Sequence, residues 1–189
     1  RWATVGYEIM ILVFGKTGQV AKELQRLADV TVLGREDVDL SDPQACAGAI
    51  RTHAPSAVIN AAAYTTVDKA EQEEALATLI NGHSPTAMAQ ACVELGIPLI
   101  HISTDYVFEG TGDAPWQSDD PTAPQNAYGR SKLVGEIGIR NSGAVHAILR
   151  TSWVVSAHGA NFVKTMLRLS DTRDTLAVVA DQIGGPTPA

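Results

Sequence analysis

Short, continuously apolar runs alternate along this chain with longer stretches of helical periodicity. The strand-like runs are Ile9–Phe14, Val30–Leu33, Ala57–Asn60, Pro98–Ser103, His146–Arg150 and Thr175–Val179. Between them lie the helix-length stretches Gly18–Ala28, Pro43–His53, Asp68–Leu95 (with a break expected near Ser84–Pro85), Tyr128–Asn141 and Asn161–Ser170. Strands that are apolar throughout, rather than at every second residue, are buried on both faces, and a helix after each strand supplies the cover. The pattern predicts an α/β fold, a doubly wound parallel sheet with helices on both faces. One connection breaks the rhythm: Glu109–Ala127 carries Pro115, Pro121 and Pro124 together with Gly110 and Gly112. Loops of that length in compact domains usually serve function. Residues 1–9 read as a tag or upstream scar before a natural start at Met10, and residues 10–189 as one domain. The last residues, Gly184 to Ala189, are loop-like, as though the chain were cut at a domain crossing.

Charge and composition narrow the partners. Fourteen Lys and Arg against 21 Asp and Glu leave a formal charge of −7, the wrong sign for tracking nucleic-acid phosphates or an anionic membrane surface. The apolar run Ile9–Phe14 is too short to cross a bilayer or to form a signal-peptide core. Cys46 and Cys92 stand far apart with no ligand-type spacing, so they are expected as small buried apolar groups in a reducing, cytoplasmic protein, with no metal ligands.

The first run ends in Gly15-Lys16-Thr17-Gly18-Gln19-Val20-Ala21, a strand–glycine turn–helix start of the dinucleotide-binding, Rossmann-like kind. Gly15 allows a tight turn and Gly18 a close backbone approach to a pyrophosphate. The helix N-terminus then offers unpaired N–H groups and the positive end of its dipole. After the second strand, Arg35 stands where a cation accommodates a ribose 2′-phosphate, with Glu36 and Asp37 beside it as rivals. NADPH is therefore favoured, with NADH as the alternative. Asp39 and Leu40 are placed to meet the adenine edge, and Ala61, Ala62 and Ala63 after Asn60 are small enough for a flat cofactor to lie on the backbone.

Tyr128 and Lys132 are four residues apart, so a helix beginning near Tyr128 puts phenol and ammonium on one face. A cation next to a phenol favours the phenolate, and the pair then works as a general acid/base for an alkoxide formed by hydride addition. Thr104 ends the run Ile100–Ser103 at the carboxyl end of a strand, where ligands sit in open α/β sheets, and its hydroxyl is expected to polarise a substrate carbonyl.

These residues, with FGKTGQV (14–20), INAAAYTTVDKAE (59–71), STDYVFEGTGDAPW (103–116), YGRSK (128–132), RTSWV (150–154), NFVKTMLRL (161–169) and DQIGGPT (181–187), resemble the extended short-chain dehydrogenase/reductases. Within them the chain is similar to the family that reduces dTDP-4-dehydro-L-rhamnose to dTDP-L-rhamnose. The resemblance implies a catalytic trio of Thr104, Tyr128 and Lys132, with Lys132 lowering the Tyr128 pKa and holding the nicotinamide ribose. It implies cofactor contacts at Gly18, Gln19, Val20, Asp39, Leu40, Ala63, Tyr64 and Thr65, besides Gly15, Lys16, Thr17, Arg35, Ala61 and Ala62. Substrate contacts are implied at Thr104, Asp105 and Trp153, with a dTDP-sugar as substrate and a homodimer as the assembly. Relatives continue beyond Ala189 into a segment that closes over the sugar nucleotide and supplies the ligands for Mg²⁺ at a subunit interface, so no metal ligand is expected here. Two departures stand out: many relatives carry an acidic residue where this chain has Gly34, and the closing segment lies outside the chain. Competing readings on the same scaffold are a non-catalytic regulatory subunit of the methionine adenosyltransferase type and a sugar-nucleotide epimerase or dehydratase.

Overall fold

The computed structural model describes residues 9–189; the reading of residues 1–9 as a scar falls almost wholly outside them. Five strands form one sheet: β1 (Ile11–Phe14), β2 (Thr31–Leu33), β3 (Ala57–Asn60), β4 (Leu99–Thr104) and β5 (His146–Thr151). All neighbours are parallel and the spatial order is β2-β1-β3-β4-β5. The sequence therefore steps to one side of β1 for β2 and to the other for β3, and a crevice opens at the carboxyl ends where the order reverses.

Right-handed crossovers then settle which face each helix covers. Helix α1 (Gln19–Leu27) joins β1 to β2 in one direction, whereas α2 (Pro43–His53), α5 (Ser84–Leu95) and α6 (Ala127–Ser142) join successive strands in the other. The latter three pack side by side on the face opposite α1. Asp42 caps α2 by accepting from Gln44 and Ala45, with Pro43 in the first turn, and α6 starts from Asn126, whose carbonyl accepts from Gly129 N–H. Between sheet and helices lies an apolar core of Leu12, Phe14, Ile50, Val58, Met88, Leu99 and Ile139, all sealed from solvent. Cys46 and Cys92 are free thiols in that core, and burial raises them to about 11 and about 12, so they are inert apolar groups as expected.

The long helical stretch differs from its prediction. Its break falls earlier, at residues 71–73, between α3 (Val67–Ala70) and α4 (Glu74–Thr78). At Ser84–Pro85 the helix continues, because the turn before it widens to a π-helical turn over Leu79–His83. Pro85 has no N–H to donate, and the wide turn accommodates that without ending the helix.

Thr175–Val179 forms no strand. Val178 and Val179 are exposed, and with no strand alongside, β-branched residues have no neighbour to pack against. The further pairing is instead β6 (Val154–Val155) with β7 (Thr187–Pro188), followed in sequence after β6 by α7 (Phe162–Ser170). The proline-rich connection lies over the β5 side of the sheet: Trp116 stacks on Phe108 with centroids 4.9 Å apart, and Arg150 sits 4.6 Å over the same Phe108 ring.

A buried ionic cluster ties α6 to the sheet. Glu136 is fully buried and accepts from Ser103 Oγ at 2.6 Å, from Arg150 at 2.7 and 3.0 Å, and from Arg140 at 2.8 Å. Burial pushes its carboxyl up, but the Arg150 guanidinium, the Ser103 hydroxyl and Arg140 together hold it below the usual value. Replacing it leaves these donors without an acceptor, and Glu136→Ala is expected to cost about 3 kcal/mol, read as a lower urea midpoint. Because the folded-state pKa is depressed, this stabilisation is complete above the ordinary value of 4.5 and fades as pH falls through the lower one. Glu136→Gln should flatten stability against pH in that acidic window.

Candidate active site

The glycine turn forms where the sequence places it. Gly15 has φ +107°, and its N–H and that of Lys16 both donate to Leu33 O, at 2.9 and 3.1 Å, which folds the loop over the end of β2. A β-carbon at Gly15 would stand 2.9 Å from Ala61 O, so both the backbone angle and the approach of β3 demand glycine. Gly18 N-caps α1 in extended conformation and offers no capping side chain. The N–H groups of the first turn of α1 thus point at a cradle lined by main chain, which suits a pyrophosphate.

Two adjoining cavities, of about 440 and 320 Å³, gather every residue that the sequence assigns to catalysis or to contact with coenzyme or substrate. Gly15, Lys16, Arg35, Asp39, Leu40 and Tyr64 line the smaller; Gln19, Val20, Thr104, Asp105, Tyr128, Lys132 and Trp153 line the larger. Thr17, Gly18, Ala61, Ala62, Ala63 and Thr65 line both, which makes Thr17–Gly18 and the segment after β3 the shared wall.

At the mouth of the smaller cavity, Lys16 Nζ meets Glu36 Oε1 at 2.8 Å, and Asp37 Oδ2 accepts from Gly34 N–H at 2.8 Å. The Glu36 carboxylate folds back over the Cα of Gly34, occupying the volume a side chain there would fill. Both acidic rivals of Arg35 are thus engaged, whereas Arg35 is exposed and makes no salt bridge among the described residues. Gln19 lines the larger cavity, but its amide is committed elsewhere. Its Oε1 accepts from Ser156 N–H and Asn161 Nδ2 at 3.1 and 2.9 Å, and its Nε2 donates to Val154 O at 3.3 Å. Tyr64 likewise turns its hydroxyl to Glu73 at 2.8 Å, which leaves the cavity wall to the rest of the residue.

In the larger cavity Thr104 closes β4 and caps the short turn Asp105–Val107, accepting from Tyr106 N–H at 3.2 Å and donating to Asp105 Oδ1 at 3.0 Å. Tyr128 sits edge-on to Tyr106, 5.7 Å between centroids. Burial raises its phenol to about 12; the Thr104 hydroxyl alongside works the other way, and Asp105 adds to the rise.

Lys132 departs from expectation. Its spacing from Tyr128 predicts an ammonium that lowers the phenol, yet the group is fully buried and turned toward β4, donating to Ile102 O at 2.6 Å with His101 Nε2 at 3.2 Å. Desolvation, which outweighs the attraction of Glu136, lowers Lys132 itself to about 8. In this arrangement the phenol keeps its proton.

Trp153 is 44% exposed rather than buried, stacks on Phe162 at 5.8 Å and has φ +45°. Such a strained angle in a large residue beside a cavity is the kind of outlier that marks a binding position. Asn81 escapes the sequence reading. Its Oδ1 accepts from Tyr64 N–H at 2.8 Å, while its Nδ2 donates to Tyr64 O at 3.0 Å and Ser131 Oγ at 2.9 Å, locking the β3 loop to α6. The signal for it is an Asn-Gly pair inside a helical run just before Pro85. Gly159 and Ala160 also line the larger cavity and lie in loop sequence with no distinguishing pattern.

A parallel sheet with a glycine turn at its order reversal and a Tyr–Lys pair on the neighbouring helix has the layout of the extended short-chain dehydrogenase/reductases. More narrowly, the chain belongs to the family described as the RmlD substrate binding domain, which it matches over residues 9–189. It is 51% identical over 187 residues to a dTDP-4-dehydrorhamnose reductase of Salmonella typhimurium, a match covering 95% of this chain and 62% of that protein. A dTDP-4-dehydrorhamnose reductase of Bacillus anthracis, solved in complex with NADP, superposes with a TM-score of 0.91 at 36% identity, over 96% of this chain and 66% of that one. One from Clostridium acetobutylicum gives 0.89 at 39% identity, over 95% and 66%. The chain thus spans about 62% of the length of the curated relatives it matches. Among the described residues no helix is long and apolar enough to cross a membrane, and no three His, Cys, Asp or Glu side chains are grouped to hold a metal ion.

Burial makes a direct prediction for Tyr128. The tyrosinate absorbance that Tyr128→Phe removes should rise at about 12, well above the ordinary value of 10.0. A difference titration of the two proteins reads it.

Proposed function

We propose that residues 10–189 are the dinucleotide-binding, proton-donating portion of an NADPH-dependent reductase acting on the 4-keto group of a dTDP-sugar, dTDP-4-dehydro-L-rhamnose. The observation that carries the reading is the meeting of the side-chain-free α1 N-terminus and Tyr128 on adjoining walls of one cleft. The residues fit such a coenzyme: Gly18 leaves the start of α1 without a capping side chain, and Arg35 stands uncommitted at the outer end of the cradle. When bound, a reduced nicotinamide supplies hydride.

The chain's own groups do the rest. The first turn of α1 binds pyrophosphate through main-chain N–H groups. Arg35 marks the 2′-phosphate, and the release of Lys16 from Glu36 adds a second cation. Tyr128, held protonated by burial, gives its proton to the oxygen of the reduced carbonyl, and Thr104 donates a hydrogen bond to that oxygen as charge develops. Without substrate the Thr104 proton rests on Asp105, and it turns from that carboxylate to the substrate oxygen when the sugar is bound. Trp153 and Asp105 form the sugar side of the wall.

Titration with NADPH and with NADH, followed by nicotinamide fluorescence, tests coenzyme binding, and saturable binding of neither overturns the reading. Loss of one charge-assisted contact weakens binding by about tenfold or more, so Arg35→Ala should weaken NADPH by that amount and leave NADH nearly unchanged. Equal weakening of both removes Arg35 from the 2′-phosphate site. Tyr128→Phe should lower keto-sugar turnover by about 10²–10⁴-fold while sparing NADPH binding. Net NADPH oxidation distinguishes a reductase from an epimerase or dehydratase, which hands the hydride back.

A further inference from the structure

Behind Lys132 lies a buried chain of groups that the proposed reaction does not use: Asn60 at the end of β3, His101 on β4 and Lys132 on α6. All three are shut off from solvent. Asn60 Oδ1 accepts from Ala62 N–H at 3.1 Å, and a main-chain N–H is only a donor, so the amide orientation is settled and Nδ2 faces His101 Nδ1 at 3.1 Å. Nδ2 is likewise only a donor. His101 Nδ1 is therefore an acceptor, and the ring of a neutral histidine carries its proton on Nε2. Nε2 faces Lys132 Nζ at 3.2 Å. An N–H directed at an ammonium sets donor against donor, whereas an amine accepts from it and still donates to Ile102 O.

We infer that His101 is a positioning residue that couples the charge of Lys132 to its place: the amine is held on His101 Nε2–H, and the ammonium is released toward Tyr128, one turn earlier on the same face of α6. Lys132 then reaches the phenol only in the form that stabilises a phenolate. Shuttling the proton requires no further reagent, since Lys132 exchanges it with solvent hydronium in the cleft as the side chain moves toward Tyr128 and gives it back there on returning.

The electrostatic surroundings agree. Desolvation holds His101 well below its ordinary value, and Lys132 lowers it further, so the ring is neutral across the physiological range. Burial lowers Lys132, and Glu136 on the next turn of α6 raises it in part. Glu136 is itself engaged by Arg140 of α6, Arg150 of β5 and Ser103 of β4, which leaves it little to offer Lys132. Asp105 at the end of β4 acts on Tyr128. The arrangement goes beyond the reductase reading and rests on it only for its consequence at Tyr128.

The test needs no coenzyme, so it stands or falls apart from that reading. With nitrogen-15 histidine in the chain, long-range proton–nitrogen spectra on the alkaline side of the Lys132 midpoint report the His101 tautomer, assigned by the signals lost in His101→Gln. The expected result is a protonated Nε2 and an unprotonated Nδ1; the opposite tautomer overturns the inference. The Lys132 side chain, followed by its Cε and Nζ shifts, is the second readout. His101→Leu removes the donor that favours the amine and should raise the proton affinity of Lys132 by about threefold or more. His101→Gln presents an amide N–H to Lys132 and an oxygen to Asn60, and should restore the original midpoint. A midpoint that stays put in the leucine variant, or moves equally in both, overturns the inference. If the leucine variant does not fold, the tautomer of the unaltered chain still decides.

Discussion

The site depends on how α6 is seated against β4, and that seating is fixed by buried polar contacts as well as by apolar fit. Tyr128, Lys132 and Glu136 recur at every fourth residue and share one face of the helix, and the last two are sealed from water. A buried charge or amine is tolerated only when its partners are right in number and direction. Ile102 O and Ser103 Oγ on β4, with Arg150 on β5, are those partners, so the helix has one rotation and one height at which both groups are satisfied. Close backbone contact reinforces it, since a β-carbon at Gly135 would collide with Asn81 O. Tyr128 is aimed at the cleft as a consequence.

The opposite wall uses its polar groups differently. At the order reversal, β1 parts from its neighbours' connections and leaves main-chain N–H groups without sheet partners. Gly15 turns the chain so that two of them are met by Leu33 O, and the first turn of α1 is left to be met by a ligand. One wall is therefore main chain whose unpaired N–H groups suit an anion, and the other carries a phenol whose proton burial retains. Between them lies the end of β3, whose alanines keep the gap open. Two walls with opposite tasks are what a hydride-and-proton reduction requires.

Much of this architecture is legible in the amino-acid sequence. Apolar runs locate all five strands of the sheet; continuous apolarity matches burial in β1, whereas β5 is an edge strand left largely exposed, Leu149 included. The glycine turn is legible because only glycine satisfies Gly15's angle and its approach to Ala61. The Tyr–Lys face is legible from spacing. Thr175–Val179 shows the limit: the run has strand-forming residues, but a strand exists only beside a partner, and the partner's position is a long-range fact. The π-helical turn at Leu79–His83 is hidden for a related reason, since its stability comes from Asn81's bonds to Tyr64 and Ser131, remote in sequence.

The sequence by itself determined the order of elements, the glycine turn after β1 and the face that Tyr128, Lys132 and Glu136 share, because these follow from local sterics and helical period. Tertiary structure alone decided which way the Lys132 side chain points, that Glu36 would engage Lys16 and leave Arg35 exposed, and that Trp153 would be held at a positive φ. The first two are set by the competition of several polar groups for one partner in space, and such a competition has no trace in spacing; the third is a backbone angle that no local pattern announces.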